Sequence, residues 1–354
     1  MRLFRAFPII VAGLLAAAGA TPASAALVGV SNQTAFDAMK EYNVFATGGV
    51  TSSNHMGGRV FTGGSFTGNG FNLNSSNVPT GYGSKAITAV GNITANSGSS
   101  INGSLQSAGI VAGGTVTGTF NNNSGGATQY NGNVNNSFYQ TLNQQKTDIT
   151  ASLGNLANNL KALATTNASF NPNMNFEGIT TTGTGLAVMN LTESMFENVN
   201  SGREFKINTS AGQTLVINVA GKNINFDGTV NFNGDTAKYS NVLWNFYEAE
   251  TVNIGRQFSG SILAAAMLNN GSQGVTVGNS GNIDGGIYSS GFVTQNANGQ
   301  IHNVYFQGDL SSVGGGGPIT APEPATWGMM LLGFGLIGAA MRRRGQRNLT
   351  PQKA

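Results

Sequence analysis

The sequence predicts a mainly β body: a β-solenoid-like stack of short strands, with an irregular β-sandwich as the alternative, and one long amphipathic α-helix alongside. Three observations carry this. β-Branched residues alternate with period two in short runs, such as Ile87-Thr88-Ala89-Val90, Ile110-Val111-Ala112, Thr115-Val116-Thr117, Leu215-Val216-Ile217-Asn218-Val219 and Val275-Thr276-Val277. Glycine or Asn-Gly closes the runs, so the strands are short and the corners tight. One segment changes period. From Ser137 to Leu163 the apolar residues Phe138, Leu142, Ile149, Leu153, Leu156, Leu160 and Leu163 form a single helical stripe, with Gln145 the one polar residue on it. Small corner residues with one or two apolar residues facing in suit stacked coils, but no fixed repeat length emerges, so the sandwich stays open.

Taken in order, residues 1–25 read as a secretory signal peptide with its signal helix. Arg2 and Arg5 charge its start, Phe7 to Gly19 is apolar, and Ala23-Ser24-Ala25 offers small residues to a signal peptidase. Cleavage between Ala25 and Ala26 would begin the exported chain. Residues 26–310 form one β domain, interrupted by the helical insertion at about 137–164, for which Asn136 or Ser137 can cap the first turn. At 1.5 Å per residue that helix is about 40 Å long and needs a flank to lie on. A Gly-rich linker follows at 311–321, with Gly314 to Gly317 as a leash.

The tail has three parts, each suited to a different layer of a membrane. Pro322-Glu323-Pro324 breaks any incoming helix. Ala325 to Met341 gives 17 uncharged residues, the short end of a transmembrane helix, with Trp327 at its outer edge. Arg342, Arg343 and Arg344 form a basic stop on the cytoplasmic side, followed by a short tail at 346–354. Residues 322–345 resemble the PEP-CTERM sorting signal of Gram-negative bacteria. That resemblance implies a membrane transpeptidase of the exosortase type, which would cut near Pro322-Glu323-Pro324 and release the body to the outer surface or matrix. Without that step the helix is a plain membrane anchor.

The formal charge of +3 misleads. Of 17 basic residues, Arg2, Arg5, Arg342, Arg343, Arg344, Arg347 and Lys353 lie in the targeting ends, leaving 10; of 14 acidic residues only Glu323 does, leaving 13. The exported body is therefore slightly acidic, which argues against a nucleic-acid partner. It has no cysteine, so neither disulfides nor thiolate chemistry enter.

The body offers little catalytic chemistry. His55 lies in a turn-like run and His302 on a strand, and neither has ligands at zinc-like spacing. Glu248 and Asp284 would act as acid and base only if the fold brought them together. Asp227-Gly228 and Asn233-Gly234-Asp235 lack the full spacing of a calcium loop and read as tight turns. Gly48-Gly49, Gly63-Gly64 and Gly113-Gly114 are not followed by the Lys-Ser/Thr of a phosphate loop. No catalytic residue, cofactor or metal is expected. Phe61, Phe66, Phe71, Phe226, Phe232, Trp244, Phe246 and Tyr247 are candidates for a sugar-binding face or, more simply, core.

Several runs are similar to the choice-of-anchor A domain of bacterial surface proteins. They are Phe45 to Val50, Gly57 to Gly64, Val242 to Ala249, Gly260 to Ala265, Gly281 to Gly286 and Ile301 to Gly308. Family members more often carry Ala-Pro where this chain has Ala264-Ala265. The resemblance spans about 27–310 and implies an adhesin-like or matrix-associated role without a transferable activity. A β-solenoid with one flanking helix also resembles the ice-binding fold. The functional expectation is an exported, surface-sorted, non-catalytic protein that meets exopolysaccharide or another surface polymer. The alternatives are a polysaccharide-acting enzyme, which needs clustered carboxylates, and ice binding, which needs ordered threonine rows. Thr180-Thr181-Thr182 and Thr184 are too few for the latter.

Overall fold

The computed structural model describes residues 29–75, 85–103, 109–122, 128–130, 137–171, 178–197, 204–232, 236–266 and 274–313. The expected signal peptide with Ala25 and Ala26, the sorting signal 322–345 with its helix 325–341, and the tail 346–354 lie outside these residues. Among the described residues no helix is long and apolar enough to cross a membrane.

The fold is mainly β with parallel sheets and few helices. Most strands have three or four residues, too few to stand alone, so each depends on in-register partners above and below. In the first sheet the spatial order is Thr128–Tyr130, Ile110–Ala112, Ile87–Ala89, Val60–Thr62, Val44–Ala46, Ile287–Ser289, Ser261–Ala264, Val242–Asn245, Thr214–Val219 and Leu186–Leu191. Every pairing in it is parallel. That differs from the antiparallel pairing of the sandwich alternative. The second sheet runs Asn223–Phe226, Thr251–Ile254, Thr276–Asn279, Val293–Gln295, Val50–Ser52, Phe66–Gly68 and Ile93–Gly103, with Val116–Asn122 beyond, again all parallel. Shorter pairings make a third side, including Gly178–Thr181 with Glu204–Asn208 and Phe258–Ser259 with Ile283–Asp284.

The strand order records an unusual path. The chain enters at Val44–Ala46, mid-sheet, and steps outward through the strands beginning at Val60, Ile87, Ile110 and Thr128. It re-enters at the opposite edge with Leu186–Leu191 and works back until Ile287–Ser289 pairs with Val44–Ala46. Between the two journeys lies helix α2 (Ser137–Lys161). It follows helix α1 (Asn32–Glu41), whose Ser31 hydroxyl caps the Thr34 amide at 3.0 Å.

Both helices cover the outer side of the first sheet, so this sheet is buried on two faces. Val44, Val60, Ile87, Ile217, Trp244, Ile262 and Ile287 point into the core between the sheets. Phe45, Phe61, Val216, Leu243, Leu263 and Tyr288 point the other way, onto Met39, Ile149, Leu153, Leu156 and Leu160 of the helices. Gln145 on the helical stripe meets the Tyr42 hydroxyl at 3.5 Å. The helix ends at Lys161, short of the boundary near 164, and side chains from the sheet reach carbonyls along and just past its last turns. Asn190, Asn218 and Asn245 donate to the carbonyls of Leu163, Leu160 and Ala157 at 2.8–2.9 Å. The same three amides bond to one another across the rungs, both links at 2.8 Å.

Trp244 anchors the core, fully buried, with its indole N–H on the Ser259 carbonyl at 3.0 Å and its ring edge-on to Phe205. Gly260 makes the corner beside it. Its φ is +103°, and a Cβ there would lie 2.8 Å from the indole nitrogen, so only glycine turns at this point.

Candidate functional site

The second sheet alternates like the first, but among the described residues no helix covers its outer side. In Val50–Ser52, Phe66–Gly68 and Val293–Gln295 the outer two residues are buried and the middle one faces out. The middle residues are threonines. Register pairing sets Thr294 beside Thr51, Thr51 beside Thr67, Thr67 beside Thr94 and Thr94 beside Thr117. The row continues through Gly278 to Asn253 and Asn225. It therefore crosses eight rungs at roughly 4.8 Å each.

A second column runs parallel to it. Its members are Asn223, Thr251, Thr276, Phe292, Gly49, Ser65, Asn92 and Thr115, joined by the register of the strands and by ladder bonds from Val277 to Phe292, Val293 to Gly49, Val50 to Ser65, Phe66 to Asn92 and Ile93 to Thr115. Neither column contains a charged residue. Side chains on neighbouring rungs hold one another in place. Asn253 donates to Asn225 at 2.9 Å, Thr251 to Asn223 at 3.2 Å, and Thr94 and Thr117 share a bond of 3.2 Å. Asn96 donates to Asn69 at 2.6 Å and Asn296 to Ser280 at 2.9 Å, along a third line at the corner. The outcome is a pre-ordered, uncharged face of hydroxyls and amides at regular spacing. Such a face can exchange hydrogen bonds with a repeating, hydroxyl-bearing surface while ordering few of its own side chains on contact.

Sequence reasoning missed this face. The threonines it singled out go elsewhere: Thr180 is exposed and Thr181 buried on the third side, with the Thr181 hydroxyl bonded to Gln213. The aromatic candidates are core. Phe61, Phe66, Phe71, Phe226, Phe232, Trp244 and Phe246 are all buried, and Tyr247 is half-buried with Lys161 over its ring at 4.6 Å. Asn233, Gly234 and Asp235 lie outside the described residues.

The titratable candidates form one cluster. His302 Nδ1 lies 2.5 Å from Asp284 Oδ1, the other Asp284 oxygen accepts from Gln257, and His302 Nε2 meets Gln300 Oε1 at 3.1 Å. The bond to Asp284 raises the His302 pKa, against a smaller opposing effect of burial. When protonated, the ring donates from both nitrogens, to Asp284 Oδ1 and to Gln300 Oε1. His55 stands 6.4 Å away, ring to ring, and its pKa is lowered by burial and then by His302. Ile301 bridges both Met56 and Ile283, so the cluster marks a seam where strands from the two ends of the body meet. Glu248 is elsewhere, at the corner before Thr251–Ile254, accepting from the Gly221 amide at 2.9 Å. Among the described residues no group of three or more His, Asp or Glu side chains could hold a metal ion.

The body is thus parallel and mainly β, with two outward columns free of charge. A family model described as "Putative Ice-binding-like adhesive domain" matches residues 35–303, and the chain belongs to that family. The PEP-CTERM protein-sorting motif matches residues 320–344, which implies export, a C-terminal sorting tail and exosortase processing. Among solved structures, the ice-binding protein from the Antarctic ascomycete Antarctomyces psychrotrophicus is similar at 13% identity with a TM-score of 0.32, covering 79% of this chain and 100% of that one. No curated protein matches.

Proposed function

We propose that this is an exported, surface-sorted, non-catalytic adhesive protein whose second-sheet face meets an extracellular polysaccharide. The observation that carries the reading is the in-register row Thr294-Thr51-Thr67-Thr94-Thr117 on an uncharged face that, among the described residues, no helix covers. The family supports adhesion, and the sorting motif supports delivery to the surface. The body is read as a β-solenoid, supported by the parallel, in-register strands on successive rungs. Membership of the choice-of-anchor A type is supported by runs such as Val242 to Ala249, and temporary anchoring through 325–341 by the apolar composition of that stretch. The engaged state of Asp284 and the distant placement of Glu248 support a role without catalysis.

Ice binding is the second reading, favoured by the same threonine row. Two assays on the full chain separate them. Co-sedimentation with the producing cell's own exopolysaccharide, without new reducing ends, supports the polymer reading. Arrest of ice-crystal growth without polysaccharide binding would replace it with the second.

A further inference from the structure

Phe292 is the one aromatic residue in the two outward columns. It is neither buried nor part of either hydrophobic core cluster. On the next rung its column has Gly49, and a Cβ at Gly49 would lie 3.4 Å from both Cδ1 and Cε1 of the Phe292 ring. A Cβ at Gly48 would lie 3.2 Å from Cδ1. The ring therefore leans across a glycine pair, over backbone where every other rung but one presents a side chain. Gly278, the single glycine of the threonine row, lies one rung to the other side. Around this low ground stand the hydroxyls of Thr276, Thr294, Thr51 and Ser65, all at least partly exposed.

We infer that Phe292 is an aromatic platform for one sugar ring of a neutral polysaccharide running along the stack. The inference rests on the reading of the second-sheet face as the binding surface and names its ligand class. The C–H face of a pyranose is apolar and weakly positive, matching the negative face of an aromatic ring. Its edge carries hydroxyls, which the flanking threonines and Ser65 can meet. Both columns lack charge, and the cations at their rims, Lys222 and Arg256, are each paired with a carboxylate, Glu250 and Asp227, which favours a neutral chain over an acidic one. The glycines keep the ground beside the ring low: a side chain at Gly49 would rise directly against the ring, and one at Gly278 would fill the approach beside it. A phenyl ring in the middle of the array interrupts the flat, regular spacing that a crystalline water surface would match, so the same residue favours the polymer reading over the ice reading.

The test is affinity electrophoresis of the full chain through gels containing the cell's neutral exopolysaccharide, a neutral glucan or an acidic alginate. Retardation should appear with a neutral polymer and not with alginate. Phe292→Ala should weaken it at least tenfold, and Phe292→Trp should keep it. Because Phe292→Ala can also disturb the Gly48-Gly49 turn, the Trp variant and unchanged melting of the Ala variant decide between lost stacking and lost structure. Retention by Phe292→Ala equal to the parent, together with loss in Thr67→Lys, would overturn the platform and leave the binding face standing. No retardation of the parent by any polymer would overturn both.

Discussion

Replacing Leu153 with alanine probes how helix α2 is held. Leu153 is 1% exposed and belongs to the cluster that joins α2 to the outer side of the first sheet. Burying a leucine contributes about 1.5–3 kcal/mol from transfer alone. Truncation in a rigid setting adds a cavity term, for a total of about 2–5 kcal/mol. The setting here is rigid, because Asn218 and Asn245 pin the next turns of the helix by their carbonyls at 2.8 and 2.9 Å, so the helix cannot settle into the gap. At about 2.1 cal/mol/K of unfolding entropy per residue, a loss of about 3 kcal/mol in a body of this size lowers the melting temperature by about 5 °C. Circular dichroism melts of the full chain read this directly, with the exposed Asn158→Ala as a control that should not move. Leu153→Ala melting within about 1 °C of the parent would refute the packing argument and free the helix for a partner.

Other outcomes follow from the same geometry. Asn218→Leu removes the middle of the amide ladder, leaves Asn190 Oδ1 without its 2.8 Å donor and should cost about 1–3 kcal/mol in a chemical melt. The His302–Asp284 pair should make stability depend on pH. His302 has a raised folded pKa, so its contribution is complete below about 6.5 and is lost as pH rises through the folded value. His55 has a lowered one, so stability is lost as pH falls below about 6.5 towards its folded value. Melting scans across pH should peak between the two, and His302→Gln should flatten the alkaline limb; an unchanged limb in that variant would remove the pair from the seam's energetics. Changing Pro322, Glu323 and Pro324 together to alanine should raise the mature mass by the retained tail. Equal masses for parent and variant would leave a plain anchor.

Much of the architecture could be read in the residues, and the remainder was hidden by spacing. Period-two runs such as Leu215 to Val219 are buried strand residues, and Leu142, Ile149, Leu153, Leu156 and Leu160 share the buried side of one helix. No fixed repeat shows because the spacing of stacked strands differs: first-sheet strands begin at Val44 and Val60, 16 residues apart, but at Leu186 and Thr214, 28 apart. Corners that lie outside the core accept insertions without disturbing the stack. The uncharged face was illegible for a related reason. Its row takes one threonine from each of five strands, and Thr294 joins Thr51 from the other end of the chain. Asp284 and His302 meet only because short strands stack, and His55 arrives from the other end of the body. Local pattern reports which residues face out, while the pairing of the last strands with the first decides which of them become neighbours.

The central claim, that the second-sheet face is the binding surface, is tested most directly by placing lysines face by face. Thr51→Lys, Thr67→Lys and Thr94→Lys project from the threonine row, whereas Thr180→Lys and Asn208→Lys project from exposed positions on the third side. Each full-length variant is titrated against the producing cell's exopolysaccharide after its melting temperature is checked against the parent. The account predicts that the three row variants lose binding and the two third-side variants keep it. Binding that survives all three row substitutions, or that is lost on the third side instead, would contradict it.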